Sequence, residues 1–533
     1  ACIGREFSHE LVATVSPLSE TELQAAFRQL MEAQIILPRG GASQGSYIFK
    51  HALLQDAAYD SLLKEPRRQF HDRIANGLIS RFPDVVANTP ELVASHLSRA
   101  ERFSEAVDHW KSAGLRAKNA SSNQEAASHF EMALEYLEEE EPSAAHDKRE
   151  LELQAPLALV MTELHGYGSS KTGAVYERAF SLTQNVESPP ELFQIMYGLS
   201  MNRGLGDRFL EGLSIAKELA KYSDTANDEP GYVIAHRFYA TLLHGLPDHE
   251  QAKRHTEDSL SAYDKLDFHN FVDRYGHDPK AIGLSFLAQI QVLRGFPDQA
   301  TEHIGEAVAH AETLNFPYGV AHVHWLAAQT YFDLNNPSQT EKHAKAMLQI
   351  ALGKNFPLLD AIGLICVGWA EHLQGESDSL YTIEQGFNQL RTLGANVYQE
   401  IALMGAHIDA LMLSQQQDKA KERILYALGI TEKLGCKWKL PELLRLKAVC
   451  ILGQENVDTS EVEAILFESL NLAREQKAKL WELRTAISLA RLWGEGQERQ
   501  KAYDLLLPIY NWYTEGFGTA DLRDAKGLLE QLQ

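Results

Sequence analysis

The stretch Gly166-Tyr167-Gly168-Ser169-Ser170-Lys171-Thr172 is the part of this sequence nearest to a phosphate-binding loop. Such a loop cradles phosphate oxygens on backbone N–H groups ahead of a Lys and a hydroxyl residue. The pattern Gly-x4-Gly-Lys-Thr needs glycines where His165 and Ser170 stand, and the preceding Leu157 to Leu164 reads as helix rather than strand. The segment is therefore read as an inter-helix turn, and Gly204-Leu205-Gly206 as another. His322 and His324 stand two apart, so on a helix they point to different faces and do not share a metal. Cys2, Cys366, Cys436 and Cys450 show no paired spacing, which fits reduced thiols in cytoplasm better than disulfides or a zinc site. Glu138 to Glu141 before Pro142 reads as a solvated helix end. No catalytic residue, metal site or cofactor is expected within the chain.

What the sequence does carry is a period. Asn315-Phe316-Pro317 recurs as Asn355-Phe356-Pro357, an offset of 355 − 315 = 40 residues. Repeats of this length mark helix-pair solenoids, whose units bury their apolar faces only by stacking on neighbours. A phase is set on a small residue in the second helix of each unit: Ala126, Ala174, Gly212, Ala252, Ala300, Thr340, Leu380, Ala420, Val462 and Ala502. Around Ala300, Arg294-Gly295-Phe296-Pro297-Asp298 reads as a helix end, a tight turn and a new helix start. The steps Ala126 to Ala174 and Ala252 to Ala300 are each 48 residues. The extra residues of the second fall around Phe268-His269-Asn270-Phe271-Val272-Asp273-Arg274-Tyr275-Gly276-His277-Asp278, too aromatic for a disordered linker. This insert is expected to pack on the array and reach its groove, with Asp273, Arg274, Tyr275, His277 and Asp278 forming a ligand or partner surface.

Trp110, Gly114, Ala117, Ala126, Phe130 and Ala133 fall at positions 4, 8, 11, 20, 24 and 27 of a repeat, so this stretch resembles a tetratricopeptide repeat (TPR). Later units keep mainly the small residues and resemble the longer-helix TPR variants of bacterial signalling proteins. The expected fold is all-α, a TPR-like right-handed superhelix of antiparallel helix pairs over residues 86–533, about 40 residues per repeat. Composition agrees: 533 residues, 44% hydrophobic and 23% charged, fill a continuous core but exceed one globular domain. No run of 18 apolar residues is present to span a membrane. The net charge of −23 disfavours nucleic acid as a partner. The sequence starts at Ala1 without Met, with a helix expected to be already under way, so an upstream part of a longer polypeptide is expected.

Residues 1–85 do not follow the repeat. Ser19-Glu20-Thr21-Glu22 opens a helix with Leu23, Phe27, Leu30 and Met31 as its apolar stripe. Ile35-Ile36-Leu37 and Ser46 to Lys50 read as two short strands around Pro38-Arg39-Gly40-Gly41 to Gly45, and a helix follows from His51 to about Leu63. Helix, helix, hairpin, helix is a winged-helix order. A DNA-reading winged helix carries Lys and Arg on its recognition helix, whereas the helix at 20–33 carries Glu20, Glu22 and Glu32 against Arg28 alone.

Tyr47-Ile48-Phe49-Lys50-His51-Ala52-Leu53 through Tyr59 resembles the end of the winged-helix domain of STAND-type signalling NTPases. His51 matches the histidine of that class's Met-His-Asp motif, which touches the bound diphosphate, while Lys50 and Ala52 replace the Met and Asp. The other reading of His51 is a histidine that merely caps or packs. Cys2-Ile3-Gly4-Arg5-Glu6-Phe7, Lys50-His51-Ala52-Leu53, Tyr275-Gly276-His277-Asp278-Pro279 with Leu284-Ser285-Phe286-Leu287, Ala486 to Trp493, and Trp512-Tyr513-Thr514-Glu515-Gly516-Phe517 together resemble one family. It comprises the C-terminal regions of bacterial multidomain proteins that join a class III adenylate or guanylate cyclase, an AAA/STAND ATPase and a TPR array. The resemblance implies a cytoplasmic regulatory half, with ATP or ADP bound in an upstream domain and the upstream ATPase and cyclase domains as partners.

A solenoid offers a concave groove lined by the first helix of each unit. Transferring TPR positions 2, 5, 9 and 12 picks His322, Trp325, Gln329 and Phe332 around Thr340, and Trp369 and His372 around Leu380. It picks Ser285 and Gln289 around Ala300, Asp409 near Ala420, and Arg484 and Arg491 near Ala502. Aromatics with interspersed hydrogen-bonding groups suit a peptide or small ligand; the other reading of Trp325 and Trp369 is packing between helices. The sequence thus points to a sensor and autoinhibitory module that binds a peptide, protein or small molecule. The alternative is a free-standing TPR scaffold without a nucleotide switch.

Overall fold

The computed structural model describes residues 1–39, 45–186, 191–225, 228–266, 270–354, 356–376, 378–394, 397–454, 457–494 and 498–533, and the side chain of Asp273 is not described. The hairpin turn at Gly40 and Gly41, the repeated Asn355, and Phe268 and His269 of the insert lie outside the described residues. The chain divides into two compact units, Ala1–Leu157 and Ala158–Gln533.

Unit 1 opens with strand β1 (Glu6–Ser8), helices α1 (His9–Val15) and α2 (Glu20–Glu32), strands β2 (Ile36–Arg39) and β3 (Ser46–Phe49), and helix α3 (Ala52–Asp60). The strands form one antiparallel sheet in the order β1-β3-β2, with Phe7 opposite Tyr47 and Leu37 opposite Ile48. β1 corrects the sequence reading of a helix under way from the first residue. Glu6-Phe7-Ser8 is extended because its partner strand lies some forty residues away, and no local pattern records that pairing. Phe7, Phe27 and Tyr47 stack over Leu23, Ile36 and Phe49 to form the small core beneath the sheet. Ser19 accepts from the Glu22 N–H while the Glu22 carboxylate accepts from the Ser19 N–H at 2.8 Å, a full capping box at the start of α2.

Helices α4 (Lys64–Arg81), α5 (Pro83–Asn88), α6 (Pro90–Arg99), α7 (Phe103–Asn119) and α8 (Asn123–Leu137) follow, and α9 (Ala144–His165), with Pro156 inside it, runs across the division. In the α7–α8 pair Trp110, Gly114, Ala117, Ala126, Phe130 and Ala133 are all buried, as the repeat positions require. The Phe130 ring rests on Gly114, where a β-carbon would meet ring atoms at 2.7 Å.

Unit 2 continues with α10 (Ser170–Thr183), α11 (Leu192–Leu205), α12 (Phe209–Ser223), α13 (Glu229–Gly245), α14 (His249–Tyr263), α15 (Phe271–Tyr275), α16 (Pro279–Arg294) and α17 (Pro297–Thr313). Then come α18 (Pro317–Asp333), α19 (Pro337–Lys354), α20 (Pro357–Leu373), α21 (Ser379–Thr392), α22 (Val397–Leu413) and α23 (Gln417–Leu434). The last are α24 (Leu440–Leu452), α25 (Thr459–Glu475), α26 (Lys479–Gly494), α27 (Arg499–Trp512) and α28 (Ala520–Leu532). From α11 onward consecutive helices pair as antiparallel hairpins and stack, an all-α, TPR-like superhelix. The recurring Phe-Pro has a local cause: Asn315 takes a left-handed φ of 50° after α17, and Pro317 then supplies the first residue of α18. Gly295, at φ 89°, does the same between α16 and α17.

Eight of the ten phase residues are buried where paired helices touch: Ala126, Gly212, Ala252, Ala300, Thr340, Ala420, Val462 and Ala502. Two are off by one. Ala174 is exposed and Gly173 takes its place against Asn202; Leu380 is half-buried and Ser379 is buried instead. At the first, Gly173 is as small as the neighbouring Ala174; at the second, Leu380 is not small and is reached only by the forty-residue step from Thr340, while the small residue is Ser379.

The array closes on itself across turns of the superhelix. The Lys437 N–H donates to the Gly245 carbonyl at 3.0 Å. Arg484 reaches the Asp333 carbonyl at 2.7 Å, and Lys439 forms a buried ion pair with the Asp333 carboxylate. Further out, the Glu515 carboxylate caps α17 by accepting from the Asp298 N–H at 2.9 Å and the Gln299 N–H at 3.1 Å. Gly516 N–H returns a bond to the Asp298 carboxylate at 3.0 Å. The largest core accordingly joins Phe193, Phe238 and Tyr275 to Tyr398, Trp438 and Trp481. No helix among the described residues is long and apolar enough to cross a membrane.

Candidate functional site

Because the superhelix is tight, its concave face is largely filled by side chains. Among the described residues, cavities on this face include an inner and an outer one, both within unit 2. The inner one, of about 50 Å³, is bounded by the first helices of successive pairs, α11, α13, α16, α18, α20 and α22, together with the Gly166-Tyr167 turn. Gln289, His322, Trp325 and Gln329 line it, with His277 from the insert. The outer cavity, of about 620 Å³, is lined by Phe332, Trp369, Asp409, Arg484 and Arg491 among others.

The groove residues picked from sequence thus fall into two groups rather than one continuous surface. Ser285 lines neither: it is buried and its hydroxyl bonds the Ala281 carbonyl at 2.8 Å. His372 is occupied by Ser379 Oγ at 2.8 Å, one helix hairpin away. Trp325 and Trp369 are both buried in the core of α18 to α22, and the Trp325 indole N–H lacks a protein partner. His322 faces the inner cavity while His324 turns the other way, its Nδ1 3.0 Å from His343 Nδ1, as their spacing required.

Within the insert, Tyr275 is fully buried against Phe193, Tyr197 and Phe271. Asp278 caps α16 through the Ala281 N–H at 2.8 Å and also binds Tyr263 and His310. Arg274 is half-buried over the Tyr275 ring. His277 is the insert residue that reaches the cavity. In unit 1, His51 stands exposed as the residue preceding α3 and makes no side-chain capping bond.

At the inner cavity the dominant group is Arg237, which is only 2% exposed. Its Nη2 donates to the Tyr197 hydroxyl and to His277 Nε2 at 3.1 Å, and its Nη1 reaches Thr241 Oγ1 at 3.4 Å. His277 Nδ1 lies 3.0 Å from the Tyr275 carbonyl, so that nitrogen carries the proton and Nε2 is the acceptor. Burial, with Arg237 and His322 adding to it, holds the His277 imidazole well below its ordinary range, and burial brings His322 down to about 3. Burial raises the Tyr197 hydroxyl to about 12, so it stays protonated. Among the described residues, every partner of Arg237 is neutral.

The outer cavity is charge-paired instead: Arg484 holds Asp521 at 2.9 Å, Arg445 holds Glu442 at 2.7 Å, and Arg491 holds Asp524 at 2.6 Å. Asp409 is its exception, a half-buried carboxyl raised to about 6 by desolvation. Elsewhere, His236, His255 and Asp258 bring one possible metal ligand each within 4.8 Å of the others; the two histidines are joined Nδ1 to Nδ1 at 2.9 Å.

Arg237 and Tyr197 went unread in the sequence, although the signal was present. Each stands at TPR position 5 of its unit, fifteen residues before the small residue: 252 − 15 = 237 and 212 − 15 = 197, as 340 − 15 = 325 for Trp325. Position 9 gives Met201 and Thr241 in the same way, and both line the cavity.

No family model matches the chain. A curated relative, an uncharacterized protein of Rhizobium meliloti (strain 1021), is 24% identical over 412 residues, covering 76% of this chain and 39% of its own length. The chain therefore spans well under half of that relative. Among solved structures, the APC/C hetero-tetramer Cut9–Hcn1 is 12% identical with a TM-score of 0.46, covering 98% of this chain and 100% of that one. A Rap protein complexed with competence and sporulation factor is 12% identical with a TM-score of 0.40, covering 81% and 99%. A STAND protein with a tetratricopeptide repeat sensor from Pyrococcus horikoshii is 13% identical with a TM-score of 0.30, covering 98% and 63%.

Proposed function

We propose that this chain is the regulatory sensor of a cytoplasmic STAND-type signalling ATPase, a non-catalytic module that binds an effector in its helical array and restrains upstream domains. In this reading residues 1–85 are the winged-helix domain of the ATPase and residues 86–533 the TPR-like array. ATP or ADP is held upstream, where a class III nucleotide cyclase is the controlled activity. The observation that carries the reading is the inner cavity, where the first helices of six successive pairs converge on a buried guanidinium with neutral partners only. A ligand there touches many repeats at once, so its binding energy can favour one superhelical state over another, which is what switching requires.

The order β1, α1, α2, β2, β3 supports the winged-helix assignment, as does a histidine at the start of the following helix. α3 buries no residue within this chain, and its Leu53 is 80% exposed, with Leu63 just beyond it 77% exposed. An apolar face of that kind suits packing against a further domain.

The test is nucleotide turnover, cyclase and ATPase together, in the natural full-length protein and in the same protein cut before residue 85. Raised or deregulated turnover on truncation is expected. Unchanged turnover would favour the second reading, a scaffold that recruits proteins without a nucleotide switch.

A further inference from the structure

A buried cation is costly unless something negative lies beside it, and a guanidinium cannot escape by losing its proton. Arg237 sits in that position. Tyr197, Thr241 and His277 satisfy part of its hydrogen-bonding capacity, but none carries charge, and its Nε–H has no protein partner. No described carboxylate lies within ion-pairing distance of it.

Much of the polar lining repeats the pattern, while Gln399 Oε1 is an unpartnered acceptor on the same wall. Gln289 Nε2, the Trp325 indole N–H and the Tyr398 hydroxyl all line the same cavity without a protein partner. These groups sit on α16, α18 and α22, so donors converge from several repeats. Water would satisfy the donors but leave the positive charge uncompensated. The residues between them, Met201, Leu205, Ile282, Phe286 and Leu326, are apolar.

We propose that this inner cavity binds the carboxylate of a small monoanionic ligand, with Arg237 as its charge partner, Gln289 and Trp325 as further donors, and the apolar wall around its organic part. This rests on the sensor reading and names the class of its effector. Charge favours a carboxylate over a phosphate: one guanidinium among neutral histidines balances one negative charge, whereas a phosphate monoester carries close to two. Size agrees, since about 50 Å³ is room for a few waters or one small head group.

The experiment follows thermal unfolding of the whole chain at constant ionic strength with acetate, butyrate or benzoate at millimolar concentration. The corresponding amides and inorganic phosphate serve as comparisons. At least one carboxylate is expected to raise the melting temperature saturably, with its amide and phosphate giving no saturable rise. Arg237→Gln should abolish that response. Should Arg237→Gln fail to fold, Gln289→Leu keeps the charge, removes one donor, and is expected to weaken the same carboxylate about tenfold. The site assignment fails if no carboxylate gives a saturable shift, if the amide matches the acid, if phosphate binds instead, or if the substituted protein responds like the original. A chain that binds no carboxylate but whose truncation deregulates turnover would sink this assignment and leave the sensor reading standing. Carboxylate binding with unchanged turnover on truncation would do the reverse.

Discussion

Gly212→Ala should destabilise unit 2 by more than its single methyl group suggests. Gly212 is the small residue at which α12 meets α11, and what it meets there is backbone. A β-carbon at 212 would lie 2.5 Å from Gly204 Cα and 2.7 Å from the Ser200 carbonyl oxygen, and would also overlap the Gly204 nitrogen. Ordinary carbon contacts are about 3.5–4.0 Å, so the two helices must part by about 1 Å; no side chain is available to rotate away. Overpacking of this kind costs about 1–3 kcal/mol, and the upper end is expected here because a helix must move. Alanine's better helix propensity returns about 1 kcal/mol. The net loss is therefore about 2 kcal/mol. Gly305 in α17 is the internal control, since a β-carbon there meets nothing within 4 Å. Gly305→Ala should stabilise by about 1 kcal/mol through propensity alone. Urea unfolding of both variants beside the original chain measures the pair, with the midpoint lowered for the first and raised for the second. Equal midpoints for Gly212→Ala and the original would refute the argument that helix contact at this position sets the repeat. A further readout follows from α11 carrying Tyr197: displacement of the helix should weaken any ligand-linked shift at the inner cavity.

Glu515→Ala removes the cap that reaches α17 from 217 residues away, and hydrogen exchange at residues 297–300 should quicken, with a loss of about 1 kcal/mol. Histidines set an acid limit: burial holds His249 and His343 at about 4 and His407 at about 3, against 6.5 for the free side chain. Their folded values are depressed, so the stability they contribute is present above pH 6.5 and lost as pH falls toward 4. Stability should therefore drop between pH 7 and pH 5, by about 1–2 kcal/mol per histidine, lowering the melting temperature, and a flat profile would count against it. Asp409 works in the opposite sense. Its folded value is raised from 3.8 to about 6, so its contribution is fully present below pH 3.8 and is lost as pH rises through 6. Asp409→Asn should consequently stabilise the chain at pH 7.5, by about 1–2 kcal/mol, and not at pH 4.

The helical array was legible because its cause is local and repeated. A small residue every forty or so positions, with Pro opening a helix and Gly or Asn closing one, is written in each unit separately. Ala174 slipped by one because Gly173 satisfies the same local requirement, and Leu380 because a strict forty-residue step overshoots the small residue Ser379. β1 was not legible, since Glu6–Ser8 is a strand only by virtue of its pairing with Ser46–Ile48. Trp325, Gln329 and Asp409 could be assigned to the concave face from phase alone. Nothing in the phase says that the concave face is nearly filled, because the contacts that fill it, Lys437 with Gly245 or Arg484 with Asp333, join units four or five repeats apart.

The Glu515 cap on α17 also bears on how such a chain can change over generations. Most solenoids gain and lose whole units freely, since each unit answers only to its neighbours. Here the residue that closes the superhelix must arrive at the first turn of one particular helix. Duplicating or deleting a single forty-residue unit between α17 and α27 would carry Glu515 about one helix pair out of register, and one between α18 and α24 would also strand Lys439 away from Asp333. Copy number in this array is accordingly a fixed dimension of the molecule, and lineages are expected to vary it by altering loops and inserts rather than by counting repeats up or down.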